Sequence, residues 1–295
     1  MYKCIALLLL LLTPISGQTC MPRGWDVPSL RALKAREFTV DGDKKRNALA
    51  LALTACLADP DPALRDDIAY SALAQWLRAD QLQPKTLHAL LGQLLPMLRA
   101  TDVDGFGAPF AALVLSEVAR SDRIKPWLSN AERQTLVTAA ADYLAGVDDY
   151  RGFVDGEGWR HGVAHGADLI LQLTLNSEIG RPQLDRLLAA VLQQVAPIGN
   201  HFYHFGEPER LARPLLFAAT RKLHNAAEMQ AWIARLTAPA PLASWNEAFA
   251  SEAGLAKRHN TMAFLWVAFA NASLSEDAAM RALLPPLTDA LKTLP

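Results

Sequence analysis

Apolar residues recur three and four positions apart along almost the whole chain, and this helical period restricts the fold more than any other feature. Between Pro62 and Leu77, for example, the pattern runs through Ile68, Leu73 and Trp76. Because the alternating period of a β-strand is almost absent, the sequence predicts an all-α protein of roughly a dozen helices. Residues typical of helix starts separate these segments, and they are Asp59–Pro62, Gln83–Pro84, Ser129–Asn130 and Arg181–Pro182.

The predicted helices form antiparallel hairpins with short connectors, and the hairpins recur about every 40 residues, which is the spacing of HEAT and armadillo units. The segment Asp61–Leu77 is similar to such a unit, but the chain contains no strict repeat. The pattern therefore predicts an α-α superhelix of irregular HEAT- or armadillo-like hairpins. A closed α/α toroid is the alternative, because periodicity reports neither curvature nor closure.

The N-terminus has the features of a signal peptide. Lys3 supplies a positive charge, residues 5–12 are an unbroken apolar run, and Pro14 is followed by small residues at a cleavage site. A helix of that run is about 12 Å long, too short for the roughly 30 Å core of a bilayer, so no stable membrane anchor is expected. We expect a signal peptide over residues 1–17, a single all-helical domain over residues 18–295, and a periplasmic or secreted protein.

Charge and cysteine content narrow the partners and the compartment. The chain has 29 Lys and Arg against 30 Asp and Glu, so it lacks the basic character of a nucleic-acid-binding protein, and no nucleic acid is expected as a partner. Cys20 and Cys56 remain after the signal peptide is removed. An even pair in an oxidising compartment favours a disulfide between them, and two free thiols are the alternative.

The segment Asp148–Asp168 is the part of the chain richest in groups that can carry out chemistry. Its closely spaced glycines, Gly152, Gly156 and Gly158, exclude a helix in its first half and indicate a turn. A helix is then predicted from about Trp159 to Leu175.

His161, His165 and Asp168 are four and three positions apart, so on this predicted helix they lie within a stripe of about 60°. Two histidines at this spacing with a carboxylate are typical of a zinc site, and His161 and His165 are candidate ligands of a divalent metal such as Zn²⁺. Asp168 is too far along the helix axis to share the ion and is expected to orient His165. The alternatives are a metal-free site and a purely structural role. Gly162 and Gly166 form an adjacent stripe that predicts close approach of a neighbouring helix.

Asp155 and Glu157, on the glycine-rich loop, are a candidate pair for acid–base catalysis, together with the two histidines of the stripe. Arg151 and Trp159 are candidates for holding a ligand, and paired acids beside an aromatic ring suit a glycan. The structural alternative is that Asp155 makes the turn and caps the helix, while Arg151 pairs with a neighbouring aspartate.

A second polar patch spans His201–Arg210, where Gly206-Glu207-Pro208 is a helix start with a favourable acid. It lies one hairpin after the first patch, so a superhelix brings both onto one surface, and Glu207 and Arg210 become candidate ligand-binding residues. A third, weaker patch is Lys257–Asn260.

The motif from Arg151 to Asp168, RGFVDGxGWxHxxAHxAD, closely resembles the signature of a bacterial family known as domain of unknown function 2785. Gly206–Leu211 and the earlier Arg65–Tyr70 are similar to further parts of that family, and so is Asn260 ahead of Phe264-Leu265. The resemblance covers most of the mature chain and implies an all-helical fold. It implies no activity.

These observations predict an exported protein that binds a small-molecule, glycan or peptide ligand in a polar groove around the His-x-x-x-His-x-x-Asp helix. A hydrolase or lyase that acts on envelope glycans or peptides is one alternative. A helical scaffold that binds a peptide is another, and the sequence does not decide whether the protein is an enzyme. The candidate ligand-binding residues are Arg151, Trp159, Asp168, Glu207 and Arg210.

Overall fold

The computed structural model describes residues 20–295, and most of them are helical, so the predicted all-α fold is confirmed. Within this range the β-structure is one antiparallel hairpin of β1 (Phe153–Val154) and β2 (Gly158–Trp159). The predicted signal peptide, residues 1–17, lies outside the described residues. No helix within residues 20–295 combines the length and the apolar character that a membrane crossing requires.

The helices follow one another along the chain with short connectors. A 3₁₀ segment precedes α3, a π-helical turn leads into α4, and a second 3₁₀ segment precedes α12. The bounds are α1 Val27–Ala35, α2 Asp43–Leu53, 3₁₀ Thr54–Ala58, α3 Pro62–Leu64, π turn Arg65–Tyr70, α4 Ser71–Arg78, α5 Pro84–Met97, α6 Gly107–Ile124, α7 Asn130–Ala145, α8 Gly162–Thr174, α9 Arg181–Val195, α10 Glu207–Thr220, α11 Ala226–Leu236, 3₁₀ Trp245–Ala250, α12 Glu252–Leu274, α13 Ala278–Arg281 and α14 Leu284–Thr293.

The hairpins stack into two layers, as the superhelix prediction requires. The first layer contains α4, α6, α8, α10 and α12, and the second contains α5, α7, α9 and α11. Helices α6 and α8 run parallel, because Pro109 and His165 meet near their starts while Asp122 and Asn176 meet at their ends. The most extensive contacts within residues 20–295 run between successive hairpins, which is the arrangement of a stacked α-α superhelix.

One interval in the stack is longer than its neighbours. Helices of the first layer begin at Gly107, Gly162, Glu207 and Glu252, and the first of these intervals is ten residues longer than the next two. The additional residues form the loop and β-hairpin that precede α8. The segment richest in chemistry is therefore an insertion between two repeats, where repeat proteins often carry function.

A buried ion pair fixes the far end of α6. Both oxygens of Asp122 accept hydrogen bonds from the Arg133 guanidinium, and the amides of Trp127 and Leu128 and the side chain of Asn176 complete the shell. Burial alone would raise the pKa of Asp122, but the bonds from Arg133 and from the two amides together hold that pKa below its ordinary value. The carboxylate thus ties α6 to α7 and to the residues that follow α8.

A disulfide joins Cys20 to Cys56, whose Cα atoms are 4.9 Å apart, so the favoured pairing of the two cysteines is confirmed. Cys56 is almost completely buried, and the bond fastens the start of the described chain to the 3₁₀ segment after α2.

Replacing both cysteines by alanine (Cys20→Ala with Cys56→Ala) should lower the free energy of unfolding by about 3–4 kcal/mol, because the disulfide restricts the unfolded chain over a loop of that length. Urea denaturation under oxidising conditions measures the difference. Wild-type protein treated with reductant is the control and should approach the variant. Equal midpoints for the oxidised wild type and the variant would contradict the prediction.

Candidate functional site

Two buried arginines hold the inserted hairpin on the first layer. Arg65 is fully buried and donates from Nη2 to the carbonyl of Glu157 at 2.7 Å, and its guanidinium carbon lies 3.7 Å from the centre of the Phe106 ring. Arg160 lies 4.1 Å from the same ring and donates from Nε to the carbonyl of Asp104 at 2.6 Å. Cation–π contacts shielded from water are the stronger ones, so this stack fixes the hairpin against the start of α6.

Two glycines make this packing possible. A Cβ atom at Gly158, whose φ is +81°, would lie 2.9 Å from Nη2 of Arg65. At Gly152 a Cβ would lie 2.0 Å from Cδ2 of Phe205, so the phenyl ring occupies the space of a side chain. The first and second polar patches are therefore in direct contact, as the sequence predicts for a superhelix.

The predicted start of the helix at Trp159 is wrong, because Trp159 lies in β2 and α8 begins at Gly162. The amides of Arg160 and His161 donate to the carbonyls of Gly152 and Arg151 at 3.0 Å, which keeps the chain paired with the first strand. His161 is the N-cap of α8, with a φ of 56° in the left-handed region.

The rings of His161 and His165 nevertheless face the same side, with centroids 5.7 Å apart. On the neighbouring stripe, a Cβ atom at Gly166 would lie 3.1 Å from side-chain atoms of Tyr143 and Leu144. The close helix approach predicted from the glycine stripe is therefore present, and the approaching helix is α7.

His161 and Glu207 form the centre of the candidate site. Nε2 of His161 lies 3.9 Å from Oε1 of Glu207, which is too long for a hydrogen bond, and their side chains are 10% and 3% exposed. This Nε2 atom is buried and has no hydrogen-bond partner within residues 20–295. Trp159 stacks on the imidazole, with ring centroids 4.8 Å apart and planes 25° apart.

Burial shifts both groups toward their neutral forms. It lowers the pKa of His161 to about 4, with a further contribution from the positive charge of Arg210, so the imidazole is uncharged at neutral pH. Burial also raises the pKa of Glu207, although the amide of Phe205 donates to Oε2 of its carboxylate at 2.9 Å. A neutral base and a carboxyl group of raised pKa thus face each other across a short gap.

His165 and Asp168 have different partners from those expected. Nδ1 of His165 bonds to the carbonyl of Pro109 at 3.2 Å, while Asp168 forms an ion pair with Arg210. The expected orientation of His165 by Asp168 is therefore wrong, because the start of α6 is closer to the imidazole. Burial, followed by the charge of His161, lowers the pKa of His165 to about 3. Burial raises the pKa of Asp168, and the positive charge of Arg210 only partly offsets this.

A zinc site needs at least one protein ligand besides His161 and His165. No group of three or more His, Cys, Asp or Glu side chains in the part of the chain that the structure describes is arranged to hold a metal ion. Zinc binding by His161 and His165 stays a prediction.

The loop residues predicted to act with the histidines have separate partners. Asp155 is exposed at the turn of the hairpin, and Glu157 forms an ion pair with Arg160, N to O 2.7 Å. Arg151 pairs with Asp149, as the structural alternative predicts. Catalysis by Asp155 and Glu157 stays a prediction.

Arg151 also lines a cavity of 480 Å³ on the other side of the start of α8, between α6, α7 and the loop that precedes α6. Pro109, Tyr143 and Gly162 contribute to its wall. This predicted ligand-binding residue therefore faces a different recess from the gap between His161 and Glu207.

The third patch supports the second. Asn260 on α12 accepts a hydrogen bond from the amide of Tyr203 at 2.9 Å and donates to the carbonyl of His201 at 3.0 Å. The His201 ring stacks on Tyr150, with centroids 5.0 Å apart. The three patches therefore form one contiguous surface.

Sequence reasoning did not single out Phe205, although it lies within the patch His201–Arg210. The run of aromatic residues and histidines before Gly206 was the available signal. It also missed Glu117, whose position in an ordinary helical segment gives no signal.

Comparison with curated proteins gave no match, and comparison with solved structures gave none. The sequence profile of the family described as "Protein of unknown function (DUF2785)" matches residues 94–268, which include α6 to α11 and most of α12. Since this match covers more than half of the chain and contains the whole candidate site around His161 and Glu207, the protein belongs to the DUF2785 family.

Proposed function

We propose that this is an exported protein that binds a hydroxyl-rich ligand, such as a glycan, in the recess formed by Trp159, His161 and Glu207. Asp168 and Arg210 form its charged border. The observation that carries the proposal is the buried Nε2 atom of His161, which lacks a hydrogen-bond partner within residues 20–295 and faces a buried carboxyl group. Buried polar atoms in native proteins are nearly always satisfied, so this atom is suited to a ligand's donor.

The width of the gap supports a hydroxyl group as the bound group. An oxygen placed about 2.8 Å from both Nε2 of His161 and Oε1 of Glu207 satisfies ordinary hydrogen-bond distances to each. The two atoms are 3.9 Å apart and Nε2 is shielded from solvent, so such an oxygen bridges them only after the surrounding side chains move. A hydroxyl group can both donate and accept hydrogen bonds, so it can bond to the neutral imidazole and to the carboxyl group at the same time.

An aromatic platform beside the gap supports a ligand with an apolar face. Trp159 is 37% exposed and Phe153 is 44% exposed, and their ring centroids are 5.2 Å apart. Phe205 packs edge-on against Trp159 at 5.8 Å, which restricts the indole ring. Sugar rings present both a face of C–H groups and a rim of hydroxyl groups, so a glycan fits this combination of groups better than a peptide does.

Export is the second part of the proposal. A disulfide between Cys20 and Cys56 is typical of proteins that fold in oxidising compartments, and the predicted signal peptide directly precedes it in the sequence.

An enzyme of the hydrolase or lyase class is the second candidate, and one observation favours it. His161 and Glu207 have pKa values shifted in opposite directions at a short distance, which is typical of acid–base pairs.

If the protein is such an enzyme, Glu207→Gln should lower kcat for an envelope glycan by about 100-fold or more, because the side chain no longer transfers a proton. Product formation from peptidoglycan fragments measures it. Activity equal to that of wild type would remove Glu207 from any catalytic role.

Replacing the stacking ring (Trp159→Ala) should weaken glycan binding by at least about tenfold, because the aromatic platform is lost. Titration calorimetry with a panel of neutral oligosaccharides measures the affinity. Trp266→Ala is a matched control, since Trp266 on α12 is 53% exposed. Equal losses for the two variants would argue against a site at Trp159.

The pH dependence of stability gives a test that needs no ligand. The pKa of His161 is about 4 in the folded protein and near 6.5 in the unfolded chain. Between these pH values the unfolded chain binds more protons than the folded protein. The free energy of unfolding therefore falls as the pH decreases from about 6.5 towards about 4. His161→Asn suits the left-handed backbone. When the pH falls from about 7.5 to about 5, this variant should lose about 2 kcal/mol less of its free energy of unfolding than the wild type loses.

Urea denaturation at the two pH values measures this difference. His88→Asn is the control, because His88 is half-exposed and bonds to Glu132 at the surface. If His161→Asn and His88→Asn show the same pH dependence as wild type, the imidazole of His161 is not held neutral by burial.

A further inference from the structure

The solvent-facing side of the first layer carries a row of balanced charges beside the candidate site. Glu117 on α6 pairs with Arg78 on α4, and Asp168 on α8 pairs with Arg210 on α10. Burial raises the pKa of Tyr70, and the charges of both ion pairs also act on it. This first row therefore contains two positive and two negative charges.

One helical turn further along the same parallel helices, the charges are no longer balanced. Glu117 is followed by Arg120 and Arg123 on α6, Asp168 by Gln172 on α8, and Arg210 by Arg213 on α10. Nε of Arg123 donates to Oε1 of Gln172 at 3.2 Å. We call Arg120, Arg123, Gln172 and Arg213 the second row.

The second row contains three guanidinium groups. Its residue on α8 is the neutral amide Gln172, whereas the residue of the first row on α8 is the carboxylate Asp168. Among the ion pairs within residues 20–295, none gives Arg120, Arg123 or Arg213 a carboxylate within 4 Å. Arg213 is exposed and the other two arginines are half-buried, so all three are open to solvent. Arg213 is nevertheless close enough to Asp168 for its charge to act on that carboxyl group.

Guanidinium groups in such an arrangement are suited to oxyanions. The planar fork of arginine matches a carboxylate or a phosphate in two parallel hydrogen bonds. Arg120 and Arg123 also repel each other, and this repulsion adds to the effect of burial in lowering the pKa of Arg123. A bound anion would relieve that repulsion, so the repulsion between the two arginines favours anion binding.

We propose that the second row is an anion-binding site, and that it binds the acidic groups of a glycan whose neutral part lies on Trp159 and His161. The ligand is then an anionic oligosaccharide that carries carboxylates or phosphates. Along α8, Gln172 is about 10 Å from His165, so one short oligosaccharide can reach both places. This inference rests on the proposed function, because it uses the aromatic platform to select a glycan over an acidic peptide.

The experiment compares four probes in titration calorimetry at low and moderate salt. These are an oligogalacturonate, a phosphorylated malto-oligosaccharide, the neutral malto-oligosaccharide and poly-glutamate. At least one acidic saccharide should bind about tenfold more tightly than the neutral one, and added salt should weaken only the acidic one. Preference for the carboxylate or for the phosphate probe identifies the source of the anion.

Substitutions of individual arginines test whether the second row binds the acidic groups of the saccharide. Arg213→Gln and the pair of Arg120→Gln with Arg213→Gln should lower affinity for the acidic saccharide by about tenfold or more, and leave affinity for the neutral one unchanged. Arg235→Gln, on α11 of the second layer, removes the same charge elsewhere and should bind like wild type. Arg213 is exposed, so its replacement should not affect folding, and circular dichroism checks this.

The other outcomes overturn the inference in distinguishable ways. If acidic and neutral saccharides bind equally, and Trp159→Ala abolishes both, the ligand site stands and the anion site fails. Tighter binding of poly-glutamate than of the acidic saccharides would replace the glycan by a peptide. Absence of binding by every saccharide would overturn both the anion site and the proposed function.

Discussion

The stack of Arg65, Phe106 and Arg160 is the contact on which the candidate site depends. A loop with glycines at Gly152, Gly156 and Gly158 has little conformational preference of its own, so it acquires one shape only when other elements hold it. Arg65 holds the loop through the carbonyl of Glu157, and Arg160, which directly follows the hairpin, bonds to the carbonyl of Asp104 before α6. An arginine buried without such partners would be costly, so the same bonds that satisfy the guanidinium groups also position the hairpin.

Burial accounts for the chemistry of the site as well as for its position. The desolvation that lowers the pKa of His161 to about 4 also raises the pKa of Glu207, because burial disfavours the charged form of each group. On the adjacent part of the first layer, the ion pairs Arg78–Glu117 and Arg210–Asp168 balance each other's charges.

The repeat architecture explains why these features lie together. Neighbouring helices of the first layer lie side by side, so a polar residue on one helix can bond to a residue of the next hairpin, as Asp168 on α8 does with Arg210 on α10. The interval before α8 is extended by ten residues, and this extension places Trp159 and His161 above the starts of the stacked helices. The longer interval thus adds an aromatic hairpin to an otherwise plain stack of helices.

Local spacing determined the helical class, the hairpin order and the start of α10 at Glu207, because the apolar period and the helix caps act within a few residues. The sequence favoured a bond between Cys20 and Cys56, and the structure decided it. The start of α8 was decided by tertiary structure, since the amides of Arg160 and His161 bond back to a strand that the helical pattern does not contain. The partners of His165 and Asp168 were decided in the same way. Pro109 and Arg210 are distant in sequence, and only the packing of three parallel helices brings the carbonyl and the guanidinium group within hydrogen-bonding reach.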